Sequence, residues 1–152
     1  MTGKEIVRKA PVIKASYAPE KVRYGDVLRI YIEAEAPGGD MLKIASVVDH
    51  VGYGHYPTHW IYLKPQYQQH LKGYLQWNTF SPNASHISEW TQVTLEISVF
   101  DKTANESNEV VFGFQFVSEA MPESQPPPPF SEGDPRLGYL NINLLEPSLM
   151  GG

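Results

Sequence analysis

Val93 to Phe116 reads VTLEISVFDKTANESNEVVFGFQF, two alternating apolar runs on either side of a polar turn. Val93, Leu95, Ile97 and Val99 share one face of the first run, and Val110, Phe112, Phe114 and Phe116 share one face of the second. A period of two is the strand period, so the stretch is expected to form an antiparallel hairpin with one wet and one dry side. Each such side chain contributes roughly 1.5–3 kcal/mol when buried. A lone hairpin is marginal in water, so further strands must cover the dry side.

Outward from the hairpin the same signal recurs. Leu28, Ile30, Ile32 and Ala34 alternate with Arg29, Tyr31, Glu33 and Glu35 after a turn at Tyr24-Gly25-Asp26. Pro37-Gly38-Gly39-Asp40 ends that run, and strands are expected over 41–48 and 58–63. Leu71 to Phe80 alternates with aromatics on both faces, so the pattern alone leaves its inner face open. Pro11 to Tyr17 completes about seven short strands punctuated by Gly, Pro and Asn, the pattern of a sandwich.

From Glu119 the composition turns acidic and proline-rich, and Pro126 to Pro129 favour an extended polyproline II spacer. The chain is thus divided into an N-terminal extension (1–9), a sandwich (10–118), a Pro-rich linker (119–136) and a C-terminal interaction segment (137–152). That last segment keeps an alternation, with Leu140, Ile142 and Leu144 between Tyr139, Asn141 and Asn143. An extended arm of this kind can pair with an exposed sheet edge of a neighbouring copy or another protein. Leu140, Ile142, Leu144 and Tyr139 are its candidate partner-binding residues.

The two strands joined by Asp101-Lys102-Thr103-Ala104-Asn105-Glu106-Ser107 resemble the closing hairpin of bacterial immunoglobulin-like and fibronectin type III-like domains. Ala104-Asn105 stands where that family usually has Gly-Asn. The resemblance implies an all-β, immunoglobulin-like antiparallel β-sandwich, here with an extended Pro-rich C-terminal arm, that serves as a spacer, adhesion or assembly module. Such folds host many activities, so function has to be argued from sites.

Composition narrows the classes. The 152 residues suit one domain with tails. With no cysteine there is neither a disulfide framework nor a thiolate metal site. A net charge of −5 argues against a general nucleic-acid binder. The charge is uneven: seven basic against three acidic side chains over 1–29, and two against eight over 101–152, a polarity that can steer like copies head to tail. No apolar run is long enough to insert in a membrane, and the first residues lack the apolar centre of a secretory signal; the compartment stays open, an exported mature form included.

Candidate chemistry is sparse. His50, His55 and His59 supply imidazoles for a metal site, but a four-residue step gathers side chains only on a helix, and Gly52, Gly54 and Pro57 oppose one. Glu33 and Glu35 would share a strand face at a spacing that glycosidases use, which is equally the pattern of a solvated face. No nucleophile elbow, phosphate loop or zincin helix is present, and no cofactor is expected. Aromatics concentrate over 53–80, where Trp60, Tyr62 and Tyr56 are candidates to stack on a carbohydrate. Asn83-Ala84-Ser85 and Asn105-Glu106-Ser107 fit glycosylation acceptors but read more economically as turns. The expectation is a non-catalytic structural or protein-interaction module of a larger assembly, not an enzyme, with carbohydrate binding as the alternative.

Overall fold

The computed structural model describes residues 10–144 except 53, 83, 85–86, 89 and 122–124. The N-terminal extension and the last eight positions lie outside the described residues. Ten strands and one 3-10 turn make up the described chain: β1 (Val12–Tyr17), β2 (Lys21–Arg23), β3 (Val27–Glu35), β4 (Met41–His50), β5 (Gly54–His55), β6 (His59–Tyr62), the turn Pro65–Tyr67, β7 (His70–Asn78), β8 (Gln92–Asp101), β9 (Val110–Val117) and β10 (Arg136–Leu140).

The strands form two sheets. One has the order β1-β3-β7-β10, the other β2-β9-β8-β4 with β5 and β6 both on β4. Placing β1-β3-β7 against β9-β8-β4 is the immunoglobulin-like strand order, with the first segment divided between the sheets. The fold is therefore an immunoglobulin-like all-β sandwich. It departs from a purely antiparallel one at two pairs, because β2 runs parallel to β9 and β10 runs parallel to β7.

The β8–β9 hairpin pairs Val93 with Phe114, Leu95 with Phe112 and Ile97 with Val110, so the alternation that marked it fixes its register. The dry faces meet in one core containing Ile30, Ile32, Ile44, Leu75, Trp77, Leu95, Ile97, Phe114 and Phe116. In β7 the inner face is Leu71, Gly73, Leu75 and Trp77: Trp77 is fully buried, 6.0 Å from Phe114 and 6.3 Å from Phe116 between ring centroids. Tyr74 turns to the outer side of that sheet.

The hairpin loop is organised by Asp101. Its carboxylate accepts from the backbone N–H of Thr103 and Asn105 (2.9 Å each), the Thr103 hydroxyl (2.9 Å) and the Asn105 amide (3.1 Å). Burial pushes the Asp101 carboxyl up, but these hydrogen bonds outweigh it and hold the group below its ordinary value. Ala104 takes the left-handed conformation, φ +67°, at the place where a glycine is usual. Asn105 spends its side-chain nitrogen on Asp101 and Thr103, which makes it a turn residue; Asn83 and Ser85 lie outside the described residues.

Candidate interaction site

The connection from β6 to β7 is one short turn, so no strand from the middle of the chain covers the outer edge of β7. The C-terminal arm takes that edge. Gly138, Tyr139 and Leu140 stand beside Leu75, Gln76 and Trp77. Leu137, Leu140, Ile142 and Leu144 are buried in the sandwich core of their own chain, while Tyr139 stays half exposed. β9 ends at Val117, and the chain returns to the sandwich beyond it.

Two hydrogen bonds seat the arm inside. The Trp77 indole N–H donates to the Ile142 carbonyl at 3.2 Å, and the Ser81 hydroxyl donates to the Leu144 carbonyl at 2.6 Å. Two glycines allow the approach. A Cβ at Gly73 would meet the Pro135 carbonyl oxygen and the Leu137 side chain, and one at Gly138 would meet Ile61 at 2.6 Å. Glycine inside a strand marks such a close backbone approach.

The Pro-rich segment lies on the outer face of the β1-β3-β7-β10 sheet instead of standing free. Phe130 is buried against Tyr31 (centroids 5.5 Å apart) and Tyr74, with Tyr17 and Ala15 beside them. Lys72 Nζ donates to the Pro129 carbonyl at 3.1 Å, and Arg29 donates to the Glu132 carbonyl at 3.4 Å while stacking on the Tyr74 ring at 4.2 Å. The Tyr74 N–H donates to the Pro135 carbonyl at 3.0 Å. Aromatic rings beside donors aimed at proline carbonyls are the usual equipment for holding Pro-rich chain. The sequence reading missed Phe130, and it placed Tyr31 and Gly73 on strand faces and counted Tyr74 among the aromatics without giving any of them a part in holding this segment; the signals that could have done so were a phenylalanine directly after a proline run and a glycine on an apolar strand face.

The histidines are separated. His50 is buried on the inner face of β4, stacked with Tyr56 at 6.4 Å, and desolvation holds its pKa below the ordinary value against a weaker upward pull from Asp49. His55 is exposed beside Asp49, 3.6 Å away. His59 pairs with Ser46, four residues along β4 from His50, about 13 Å on a strand. Among the described residues no group of three His, Asp or Glu side chains stands close enough to hold a metal ion. The three histidines sit on separate strands, His50 at the end of β4, His55 in β5 and His59 at the start of β6, which keeps them apart.

The aromatic trio also divides. Trp60 and Tyr62 project from β6 on the outer face, with Lys43 Nζ at 4.2 Å from the Trp60 centroid and 5.7 Å from that of Tyr62, and Phe100 edge-on to Trp60 at 5.3 Å. Tyr56 turns to His50 and the core instead. Glu33 is hydrogen-bonded to His70 at 2.8 Å and Glu35 is paired with Lys14 at 3.4 Å, so both carboxylates are engaged by side chains on the outer face.

No protein-family model matches the chain, and no curated protein does. Among solved structures the chain is similar to the CARDB domain of the PF1109 protein from Pyrococcus furiosus, in complex with di-metal ions, with 13% identity and a TM-score of 0.41 over 76% of this chain and 100% of that one. It is also similar to Pseudomonas fluorescens alkylpurine DNA glycosylase AlkC bound to DNA containing an abasic site analog, with 12% identity and a TM-score of 0.44 over 70% of this chain and 30% of that one. Both TM-scores lie below 0.5, so the fold assignment stands on the strand order alone.

Proposed function

We propose that the chain is a non-catalytic structural module, of the bacterial immunoglobulin-like or fibronectin type III-like kind, that assembles with a second copy of itself by exchanging its C-terminal arm. The observation that carries this reading is that the arm completes an edge the rest of the chain leaves open. An element that fills the same groove from either copy exchanges at little cost, because the contacts are identical in the closed monomer and in the swapped dimer. The 18 residues between Val117 and Arg136 give the tether length for both. The basic start and the acidic end favour encounter of such copies.

The test uses the absence of native cysteine. Gln76 and Tyr139 are register partners, so if arms cross, single variants Gln76→Cys and Tyr139→Cys, mixed at high concentration and oxidised, form a covalent dimer of unlike copies in clear excess over the dimers each variant forms alone by surface collision. Light scattering gives the mass in parallel. Mixtures that stay monomeric over the whole concentration range, while the double variant closes within one chain, remove the proposal.

A further inference from the structure

Where β10 lies along β7, their outward side chains border a groove of about 280 Å³. Gln76, Asn78, Asn141 and Asn143 supply four primary amides, and Phe80 and Tyr139 supply two rings. We infer that this groove binds a neutral saccharide, through the amides of β7 and the arm and the exposed rings of Phe80 and Tyr139.

The chemistry of the lining selects the ligand class. Each amide offers both donors and an acceptor, which is what a run of ring hydroxyls requires. No Lys, Arg, Asp or Glu is among the lining residues, and the Arg136 guanidinium beside them is engaged with the Tyr139 ring, so the lining favours a neutral ligand over a phosphate, a carboxylate or a cation. That disfavours a nucleotide despite the rings, whereas the apolar C–H face of a pyranose needs only a ring to lie on. Phe80 is 60% exposed and Tyr139 47%, so each keeps open ring surface on which a sugar can lie, with the Arg136 guanidinium occupying part of Tyr139. The groove is also prepared. Gln76 donates to Asn78 at 3.3 Å, and the Arg136 guanidinium stacks 4.4 Å from the Tyr139 centroid, which fixes that ring. The volume suits one or two sugar units, below the usual range for larger ligands.

The arm provides Tyr139, Asn141 and Asn143, so the site is incomplete until the arm is docked. An arm from the same copy and one from a neighbour build the same groove, so saccharide binding and arm exchange fail or succeed separately. The location differs from Trp60 and Tyr62, which project from the other sheet.

The test is a titration of the full ¹⁵N-labelled chain with cellotetraose, chitotetraose and β-1,4-galactotetraose up to about 10 mM, the range where weak lectin-like binding is visible. The expected result is fast-exchange shifts at the side-chain amides of Gln76, Asn78, Asn141 and Asn143 with at least one of the three. Tyr139→Ala and Asn141→Ala, both exposed positions, are each expected to weaken binding at least tenfold, and Trp60→Ala to leave it unchanged. Asn141→Ala keeps the test decisive should Tyr139→Ala disturb the arm. No shift with any of the three sugars overturns the inference, as do shifts confined to the Trp60 face or binding that survives Asn141→Ala.

Discussion

The indole N–H of Trp77 donates to the carbonyl of Ile142 across 65 positions of sequence, 3.2 Å between heavy atoms and away from solvent. The largest side chain of the core is thereby tied to the arm. Replacing it tests that tie. Trp77→Phe keeps an aromatic ring but leaves a buried carbonyl without its donor and a gap beside Phe114, which together cost about 2–4 kcal/mol. Urea unfolding measures the loss, and amide hydrogen exchange shows where it falls. Protection is expected to drop first over 136–144; a uniform drop across both sheets would contradict the tie.

Gly73→Ala addresses the docking itself. The atoms that an added methyl would strike all belong to Pro135 and Leu137 of the arm. The clash therefore expels the arm while β3 and β7 keep their pairing. Limited proteolysis within 118–135 is expected to accelerate at least tenfold, on the principle that cleavage follows the population of the open form. An unaltered cleavage rate would place the arm elsewhere.

Phe130→Ala removes the ring held by Tyr31 and Tyr74 on the outer face. The cost is expected near 2–3 kcal/mol, at or below the low end for a buried phenylalanine because one side of this cluster is thin. Thermal unfolding checks it, and loss of the Lys72 and Arg29 contacts to the Pro129 and Glu132 carbonyls should appear as faster cleavage of the same segment. A variant as stable and as resistant as the parent would show that the segment is not anchored there.

What the sequence made legible was whatever a strand writes on itself. Val93, Leu95 and Ile97 against Phe114, Phe112 and Val110 carried the hairpin because one face is dry and the partner strand is near. The parallel pairs of β2 with β9 and β10 with β7 left no turn between partners and so no local signal. The prolines at 126–129 read as a spacer because proline favours extended chain, while the residue that binds the segment down is the single Phe130 after them. Leu71 to Phe80 was ambiguous for a similar reason: Tyr74 lies on the outer face yet is covered by that segment, so both faces of β7 are partly dry. The histidines were legible as a composition but not as a site, since a strand and a turn carry them to different places.

Ala104→Gly is expected to stabilise the chain. An alanine at φ +67° carries a Cβ in the left-handed region at a cost of about 1–2 kcal/mol, part of which glycine gives back through its freer unfolded chain. A net gain of about 0.5–1 kcal/mol should appear as a higher midpoint in urea with an unchanged slope. A loss of stability would mean that the Asp101 hydrogen bonds, rather than the backbone at 104, set the energy of this loop.

Acid should destabilise the molecule in two separate windows. Burial holds the folded His50 pKa below the unfolded value of about 6.5. The unfolded state then binds the proton more readily, so the stability contribution is complete above about pH 6.5 and is lost as pH falls through the folded value. Asp101 is likewise depressed when folded, its hydrogen bonds outweighing burial, so its contribution is complete above about pH 3.9 and disappears as pH falls further. Melting temperature against pH in His50→Phe should lack the first decline and keep the second, and Asp101→Asn should do the reverse from a lower starting stability. A parent whose melting temperature is level between pH 8 and about 5 would show that the imidazole of His50 reaches water when folded, and the inward placement of that ring on β4 would have to be abandoned.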